Sequence, residues 1–446
     1  MNLNTLIMQI NDFLWGWPLI IFVGGSALVV TIYLNGVQFR NFLGAWKILC
    51  KPAGKEAESS ADMSPLQAFL NTLSASIGNG SIAGMATAIY SGGPGAAIWL
   101  FIFGFFGMAL RFAEVYLSTA LGIKKLPSGP VGGPMVYLSR VPGGSILPGA
   151  YAFILLVFSL ATGNAMQANS IALGCEYIFN IQKFGVALVL FAFMAYVMFG
   201  GARRIISVST AIVPIKVSLF LFTAIWALIY HSSALVPALK LMVSSAFGLG
   251  ALAGGAIGYS VQEAIRFGLV RGVNASEAGI GTASVLFGGS SAQRPVANGI
   301  LSMLSSFITS NIVCFSIMLI IVSSGVWNNG QTSINLTISA YETVFGALGG
   351  WIVTFMAMMF GLGTIVAYAY IARSCWTFLT NGRWLAVFNG LFAFVTFLGC
   401  LARVDLIWNA TDLINAGLLL INLYGILYLL PLIKNGLSSY YKQSKA

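Results

Sequence analysis

The chain has 446 residues, of which 58% are hydrophobic and only 7% are charged. Soluble domains average about 25% charged residues, so this composition excludes an ordinary soluble protein and predicts an all-α polytopic membrane protein. The net charge of +11 predicts contact with anionic lipid and not with nucleic acid, because the cationic residues recur along one predicted membrane face.

Eleven apolar stretches are each long enough to cross a hydrocarbon core of about 30 Å. The first, Phe13 to Leu34, is an extra N-terminal span. The other ten divide into two sets of five, 65–230 and 247–433. An odd number per set orients the two halves oppositely, so we expect an inverted repeat within one transporter domain covering 1–446. These ten spans are 65–90, 94–122, 148–178, 184–202, 207–230, 247–270, 295–325, 349–380, 384–402 and 406–433.

Lys and Arg collect in alternate loops, which predicts an N-terminus outside and a C-terminus in the cytoplasm of a bacterial-type inner membrane. This assignment places Arg266, Arg271 and Arg294 on the cytoplasmic side. No basic region precedes the first apolar stretch, so we expect no cleaved signal peptide. The five cysteines have no CxxC spacing and are predicted to be free thiols.

Two predicted spans are interrupted by glycine and small polar residues. The first contains SIGNGSIAG from Ser76 to Gly84, and the second contains AGGAIGYS from Ala253 to Ser260. Backbone groups freed inside a membrane must face protein, ligand, ion or water, and a pair of interrupted helices indicates the binding site of a secondary transporter.

Helix ends at these interruptions favour a zwitterion, because N–H ends attract a carboxylate and carbonyl ends attract a cation or an ammonium group. The glycines that allow unwinding and close ligand approach include Gly78, Gly80, Gly254 and Gly255. The alternative is that these glycines only permit tight helix packing in lipid.

One polar stretch between predicted spans could lie over the site. The stretch from Val326 to Gly350 forms either an external helical cap over a site or an ordinary surface loop.

With one histidine and 11 acidic residues, no catalytic constellation is predicted, so the protein is not expected to be an enzyme. A channel is the other alternative, but two oppositely directed interrupted helices favour alternating access.

Several motifs occur in one order along nearly the whole chain, and through them it resembles the alanine or glycine:cation symporter family, also called the sodium:alanine symporter family, which includes amino-acid carrier proteins of the D-alanine/glycine permease type. The resemblance implies a LeuT-type five-plus-five fold and uptake of alanine, glycine or D-alanine driven by Na⁺, with no other cofactor. The motifs are INDFLWGWP (Ile10–Pro18), SIGNGSIAGMATAIYSGGPGA (Ser76–Ala96), RFAEVYL (Arg111–Leu117), VGGPMVYL (Val131–Leu138), GNAMQANSIA (Gly163–Ala172), GGARRI (Gly200–Ile205) and AIRFGLVRGVNASEAGIGTAS (Ala264–Ser284).

The same resemblance implies residues that hold the substrate. Backbone amides at the first interruption would bind its carboxylate, and side-chain amides of the third core helix would face the centre. Tyr368 stands where the family commonly has a tryptophan that faces the substrate, although a purely structural aromatic is the alternative. The implied substrate residues are Asn71 (for the ammonium group), Gly78, Asn79, Gly80, Ser81, Asn164, Asn169, Gln167 and Tyr368.

The resemblance also implies a sodium site between carbonyls of the first interrupted helix and the eighth core helix, near Ile77, Gly361 and Thr364. Here Gly363 stands where the family usually has serine, and Lys216 lies within a predicted span. An alternative coupling scheme follows, in which Lys216 substitutes for sodium and its protonation couples uptake to a proton gradient. Lys216 could instead extend its stem towards the cytoplasmic surface.

Overall fold

The computed structural model describes residues 14–50, 63–122, 124–126, 129–248, 261–290, 294–402 and 405–443. Nearly all of these residues are helical, as the composition predicts. The described residues also contain two short strands, β1 (Lys124–Leu126) and β2 (Gly129–Val131), which pair as an antiparallel hairpin.

The first half of the chain forms eleven helices. A π-helical turn, Ala161–Ala165, joins two of them into one long rod, and Pro214 lies inside the last. These helices are α1 (Trp17–Tyr33), α2 (Val37–Arg40), α3 (Phe42–Leu49), α4 (Pro65–Ser76), α5 (Met85–Gly92), α6 (Ala96–Ala120), α7 (Pro134–Tyr137), α8 (Leu147–Leu160), α9 (Met166–Phe179), α10 (Lys183–Phe199) and α11 (Gly201–Tyr230).

The second half forms ten more helices in the described residues. Another π-helical turn, Ile308–Cys314, again joins two of them. They are α12 (Ser232–Ala246), α13 (Val261–Ser276), α14 (Thr282–Gly288), α15 (Pro295–Phe307), α16 (Phe315–Ser323), α17 (Ser333–Phe345), α18 (Leu348–Thr380), α19 (Leu385–Leu401), α20 (Asp405–Tyr428) and α21 (Leu430–Gln443).

Among the described residues, six helices are long and apolar enough to cross a membrane, and four shorter apolar helices accompany them. The six are Ala96–Ala120, Leu147–Phe179, Gly201–Tyr230, Pro295–Ser323, Leu348–Thr380 and Thr411–Tyr428. Neither interrupted helix is among them, because each is divided into shorter pieces. The predicted polytopic character therefore holds.

The first interruption lies where the sequence predicts it. Ser64 caps α4 by a reciprocal pair of hydrogen bonds with Gln67, and the helix ends at Ser76. Its continuation begins with a π-helical turn, Gly80–Gly84, and passes into α5. Residues 77–79 thus separate two half-helices at the centre of the molecule.

The second interruption that the structure describes lies about twenty residues after the predicted break at Ala253 to Ser260. Helix α13 runs without a break from Val261 to Ser276, and the chain then takes left-handed conformations at Glu277, Gly279 and Gly281 before α14 begins. The predicted span 247–270 therefore ended too early. The predicted break, with Gly254 and Gly255, lies outside the described residues.

The two interrupted helices run antiparallel. Met63, which precedes α4, pairs with Ser290, which follows α14. At the other face, a Cβ on Gly92 at the end of α5 would lie 2.8 Å from the Phe267 Cβ of α13. Since α13 begins where α5 ends, Arg266 belongs to the same face as the end of α5. Arg271 lies nearer the centre of the molecule, where a Cβ on Gly84 would be 3.8 Å from its Nη1 atom. The prediction that they lie on the opposite, cytoplasmic side is wrong.

Helix α18 supports the first interruption, because it packs against α4, α8, α9 and α11. The region 326–350 contains α17, which packs against α18 and against the π-helical turn Gly80–Gly84. The Thr337 hydroxyl of α17 lies 3.5 Å from the Ile82 carbonyl oxygen. The helical alternative for this region is therefore the one observed.

Candidate functional site

A cavity of about 90 Å³ lies between the two interruptions. It is enclosed by both interrupted helices, by the rod α8–α9, by α18 and by α20. Its lining residues are Ala75, Ser76, Gly78, Gly80, Ser81, Met85, Phe158, Thr162, Met166, Gln167, Arg271, Asn274, Ala275, Glu277, Ile280, Thr364, Tyr368, Thr411, Asp412 and Asn415.

The first interruption presents unpaired peptide groups to this cavity. The Asn79 N–H donates to Gln167 Oε1 at 3.1 Å, but the N–H groups of Gly78 and Gly80 have no acceptor among the described residues. A Cβ on Gly78 would lie 2.8 Å from Thr364 Oγ1, so glycine is required there for close packing. These two N–H groups are suited to a carboxylate.

The predicted side-chain amides divide into two groups. Gln167 lines the cavity, and its Nε2 donates to the Thr162 carbonyl at 3.2 Å. Asn164 and Asn169 face α19 instead, where Asn164 donates to the Phe392 carbonyl at 2.8 Å and Asn169 donates to backbone carbonyls of the same region. Neither lines the cavity, because buried amides on this face are satisfied by a neighbouring helix.

Asn71 and Asn79 also point away from the cavity. The Asn71 amide donates to the Gln67 carbonyl at 2.8 Å. The Asn79 side chain turns towards Gly361, where a Cβ would lie 2.9 Å from its Nδ2 atom. At the first interruption the structure thus offers Gly78, Gly80 and Ser81 to the cavity, while the role of each in substrate binding stays a prediction.

Tyr368 lines the cavity and is fixed by two contacts. Its hydroxyl donates to Glu277 Oε1 at 2.6 Å. Its ring occupies the space that a side chain on Gly163 would need, so the two helices approach closely at this point. The orientation of Tyr368 therefore depends on the second interruption.

Glu277 is a cavity residue that the sequence analysis missed. It is 7% exposed, it has a positive φ of 52°, and its Oε2 accepts a hydrogen bond from Thr282 at 2.7 Å. Within the described residues the carboxylate forms no ion pair within 4 Å, which leaves it suited to an ammonium group. An acidic residue between small residues and glycines in NASEAGIG was the available signal.

Arg271 and Asp412 form a second charged part of the cavity that was not predicted. They lie on α13 and α20, line the cavity together and interact electrostatically. Arg271 Nε is buried without a hydrogen bond. The cavity is therefore polar towards these residues and lined partly by Phe158 and Met85 elsewhere.

Lys216 is fully buried and its ammonium group lies against the first interruption. Nζ donates to the Ile77 carbonyl at 2.7 Å and to the Ser74 carbonyl at 2.9 Å. The alternative that the stem extends to the membrane surface is therefore wrong. Nζ also lies over the Phe360 ring, 5.8 Å from the ring centroid.

Thr364 and Gly363 complete this arrangement on α18. The Thr364 hydroxyl lies 3.1 Å from the Ser74 carbonyl and 3.5 Å from that of Ile77, so it faces the same oxygens as Lys216. A Cβ on Gly363 would lie 2.9 Å from Nζ. Glycine at this position therefore provides the space that the ammonium group occupies.

Fixed side chains hold the peptide groups around the second interruption. Arg111 of α6 forms an ion pair with Glu114 at 2.8 Å and donates to the Ser276 carbonyl. Glu114 accepts from the Gly279 N–H at 3.2 Å, and Asn422 of α20 donates to the Gly279 carbonyl at 2.8 Å. Peptide groups here are satisfied by protein, whereas those of Gly78 and Gly80 face the cavity.

The described residues contain no group of three or more His, Cys, Asp or Glu side chains placed to hold a metal ion. The five cysteines are free, and of these Cys50 alone is exposed. The predicted free thiols are thus observed.

Comparison with known proteins matches the whole chain, residues 1–446, to the model of the sodium:alanine symporter family. The chain is 30% identical to the sodium/alanine symporter AgcS of Methanococcus maripaludis, over 96% of this chain and 95% of that protein. It is 30% identical to the amino-acid carrier protein AlsT of Bacillus subtilis, over 99% and 93% of the two chains. An uncharacterised transporter of Haemophilus influenzae is also 30% identical, over 100% and 98%.

Proposed function

The chain belongs to the sodium:alanine symporter family, and we propose that it takes up a small neutral amino acid with the Lys216 ammonium group in place of a coupling sodium ion. The family and the apolar helices establish an integral membrane protein of cation-coupled amino-acid transport. The substrate and the coupling ion are our proposal.

The position of Lys216 is the observation that supports this coupling scheme. A positive group already lies between the carbonyls of Ser74 and Ile77, at distances of 2.9 and 2.7 Å. Sodium prefers several hard oxygen ligands, and here Gly363 supplies no hydroxyl while Nζ occupies the adjacent space. A sodium ion therefore does not fit beside protonated Lys216, and loss of the proton would remove the charge that holds these carbonyls.

The cavity supports a small zwitterionic substrate. Its volume of about 90 Å³ is well below the 300–1,000 Å³ of drug-sized pockets. The carboxylate would bind the N–H groups of Gly78 and Gly80, and the ammonium group would face Glu277, which replaces Asn71 in this role. Gln167 and Tyr368 would limit the side chain, which favours alanine or glycine of either configuration.

The transport cycle would use the antiparallel pair of interrupted helices. We expect a five-plus-five inverted repeat, with α4–α6 and α13–α16 moving against the other helices, in a bacterial-type inner membrane and in contact with its lipid. Two antiparallel interrupted helices that meet at one cavity support this arrangement.

Uptake into proteoliposomes tests the proposal. With labelled alanine or glycine, we expect an inward proton gradient to drive accumulation and a sodium gradient at constant pH to have no effect. Lys216→Met should abolish proton-driven accumulation, because methionine keeps a long unbranched side chain but has no group that carries a proton. Sodium-driven accumulation that persists in Lys216→Met would instead support ordinary sodium coupling, which family membership alone favours.

A further inference from the structure

Unpaired polar atoms lie on both of the packed helices α4 and α11, and we call them the polar cluster. Asn71 and Ser209 are fully buried, and among the described residues neither Asn71 Oδ1 nor Ser209 Oγ has a hydrogen-bond partner. The Asn71 amide reaches across to α11, where Nδ2 lies 3.3 Å from Thr210 Oγ1. Buried polar atoms are normally paired, so two such atoms on adjoining helices require an explanation.

Pro214 leaves a third polar group, a backbone carbonyl, on the same stretch of α11. It lies inside α11 and has no N–H, so the helical hydrogen bond to the carbonyl four residues earlier, that of Thr210, is not made. Asn71 Oδ1, Ser209 Oγ and the Thr210 carbonyl together offer the two to four polar partners that a buried water needs.

The polar cluster lies one to two helical turns from the groups that hold Lys216, measured along each of the two helices. Ser209 precedes Lys216 by two helical turns and lies on the same face of α11. Asn71 precedes Ser74, whose carbonyl binds Nζ, by one turn of α4. Both offsets lead from Lys216 towards the membrane face on which α4 begins.

Charged groups are sparse around this cluster. Glu277 is the charged residue that interacts electrostatically with Lys216, and α4 contains none. Further charged residues occur on α11 and on the described helices packed against it, but none of them is within one helical turn of Ser209 or Thr210 in the sequence. These are Lys183, Arg203, Arg204, Lys240, Glu342 and Arg373.

We propose that Asn71, Ser209 and the Thr210 carbonyl hold ordered water through which Lys216 exchanges its proton with the membrane face where α4 begins. The N–H bond of Nζ breaks, its electron pair remains on the amine, and the proton forms an O–H bond with water before passing to bulk solvent. This inference rests on the proposed role of Lys216 and adds the route by which the proton leaves.

The test compares proton-driven accumulation with substrate counterflow, which needs no net proton movement. The variant Asn71→Leu/Ser209→Ala removes both polar side chains with little change in shape. We expect proton-driven uptake to fall about a hundredfold or more, since a positioned proton-transfer group contributes about that much, while counterflow is unchanged. Ser374→Ala is the matched control, because its buried hydroxyl donates to the Tyr370 carbonyl of its own helix, at 2.9 Å.

The outcomes separate this inference from the proposed function. Normal proton-driven uptake in the double variant would overturn the water route and leave the role of Lys216 intact. A parent protein without proton-driven uptake would overturn both. If the double variant also loses counterflow, Ser209→Ala alone decides. Its hydroxyl makes no hydrogen bond to the part of the chain that the structure describes, so we expect its removal to leave the fold undisturbed. Unchanged proton drive in that variant would then reject the route.

Discussion

At the scale of single residues, Lys216 and Gly363 depend on each other, because the ammonium group fills the space that a side chain at position 363 would need. The variant Lys216→Ala/Gly363→Ser removes the ammonium group and adds a hydroxyl beside Thr364 and the Ser74 carbonyl. This set of hard oxygens suits sodium, so we expect uptake by the double variant to become stimulated by Na⁺. Initial rates in proteoliposomes at varied Na⁺ and constant pH measure this change.

The single variants are the controls for this exchange. Gly363→Ser alone would place its Cβ 2.9 Å from Nζ and should impair uptake without creating Na⁺ stimulation. Lys216→Ala alone lacks the added ligand and should respond to Na⁺ weakly. A double variant that remains insensitive to Na⁺ would show that the carbonyls of Ser74 and Ile77 do not define a cation site.

Gly163 controls the position of Tyr368. A methyl group in Gly163→Ala would overlap the Tyr368 ring, so the ring must move and its hydrogen bond to Glu277 must weaken. Loss of such a bond to a charged group is worth roughly 1.5–3 kcal/mol, or about a tenfold to hundredfold rise in the substrate concentration at half-maximal uptake. Concentration-dependent uptake measures this value.

Gly149→Ala is the matched control for Gly163→Ala. Gly149 lies on the same rod of helices, and no atom lies within 4 Å of the position its Cβ would take. Its half-maximal substrate concentration should be unchanged. If Gly163→Ala also leaves this concentration unchanged, Tyr368 does not shape the substrate site.

At the scale of elements, the second interruption depends on the Arg111–Glu114 ion pair, which is completely buried. Arg111→Met leaves Glu114 unpaired and frees the Ser276 carbonyl, so we expect the free energy of unfolding to fall by about 3–5 kcal/mol. Denaturant unfolding in detergent measures this loss. Arg111→Met/Glu114→Leu should be less destabilised than the single variant, because no isolated charge remains.

A surface ion pair provides the contrast. Lys183 and Glu176 lie 3.3 Å apart and are substantially exposed, so Lys183→Met should change the free energy of unfolding by less than about 1 kcal/mol. Equal losses in Lys183→Met and Arg111→Met would contradict the claim that Arg111 holds the second interruption.

The two interruptions also show what the sequence can predict at this scale. Around Ser76–Gly84, glycine and serine interrupt an otherwise apolar stretch without charges, so the break was found at its observed position. The second interrupted helix contains Glu263, Arg266 and Arg271, and their charges lowered its apparent hydropathy. The predicted span therefore ended at 270, seven residues before the left-handed turn at Glu277.

Side-chain direction was less predictable than helix position. The resemblance placed Asn164, Gln167 and Asn169 on one helix, but only Gln167 lines the cavity. Neighbouring carbonyls on α19 bind the other two amides, and no sequence pattern reports that pairing. Lys216 was correctly identified as intramembrane because a charge inside an apolar stretch is conspicuous. Its two partners, the carbonyl oxygens of Ser74 and Ile77, could not be predicted from the sequence.

At the scale of the whole molecule, the correction of α13 changes the distribution of charge but not the predicted orientation. Arg266 joins the face where α5 ends and Arg271 lines the cavity, while the remaining cationic loops still favour the opposite face as cytoplasmic. Cys50 follows α3, on the face that is predicted to be cytoplasmic, and it is the one exposed cysteine, whereas the other four are buried. The native chain therefore contains a single accessible thiol with which orientation can be measured.

Labelling with a membrane-impermeant maleimide tests this orientation. In right-side-out vesicles we expect no labelling of the native chain until the membrane is permeabilised, because Cys50 faces the inside. Ser233→Cys adds an exposed thiol at the start of α12, on the predicted outer face, and should be labelled at once. Immediate labelling of Cys50 would show that the protein has the opposite orientation in the membrane. The proton route from Lys216 would then lead to the outside instead of the cytoplasm.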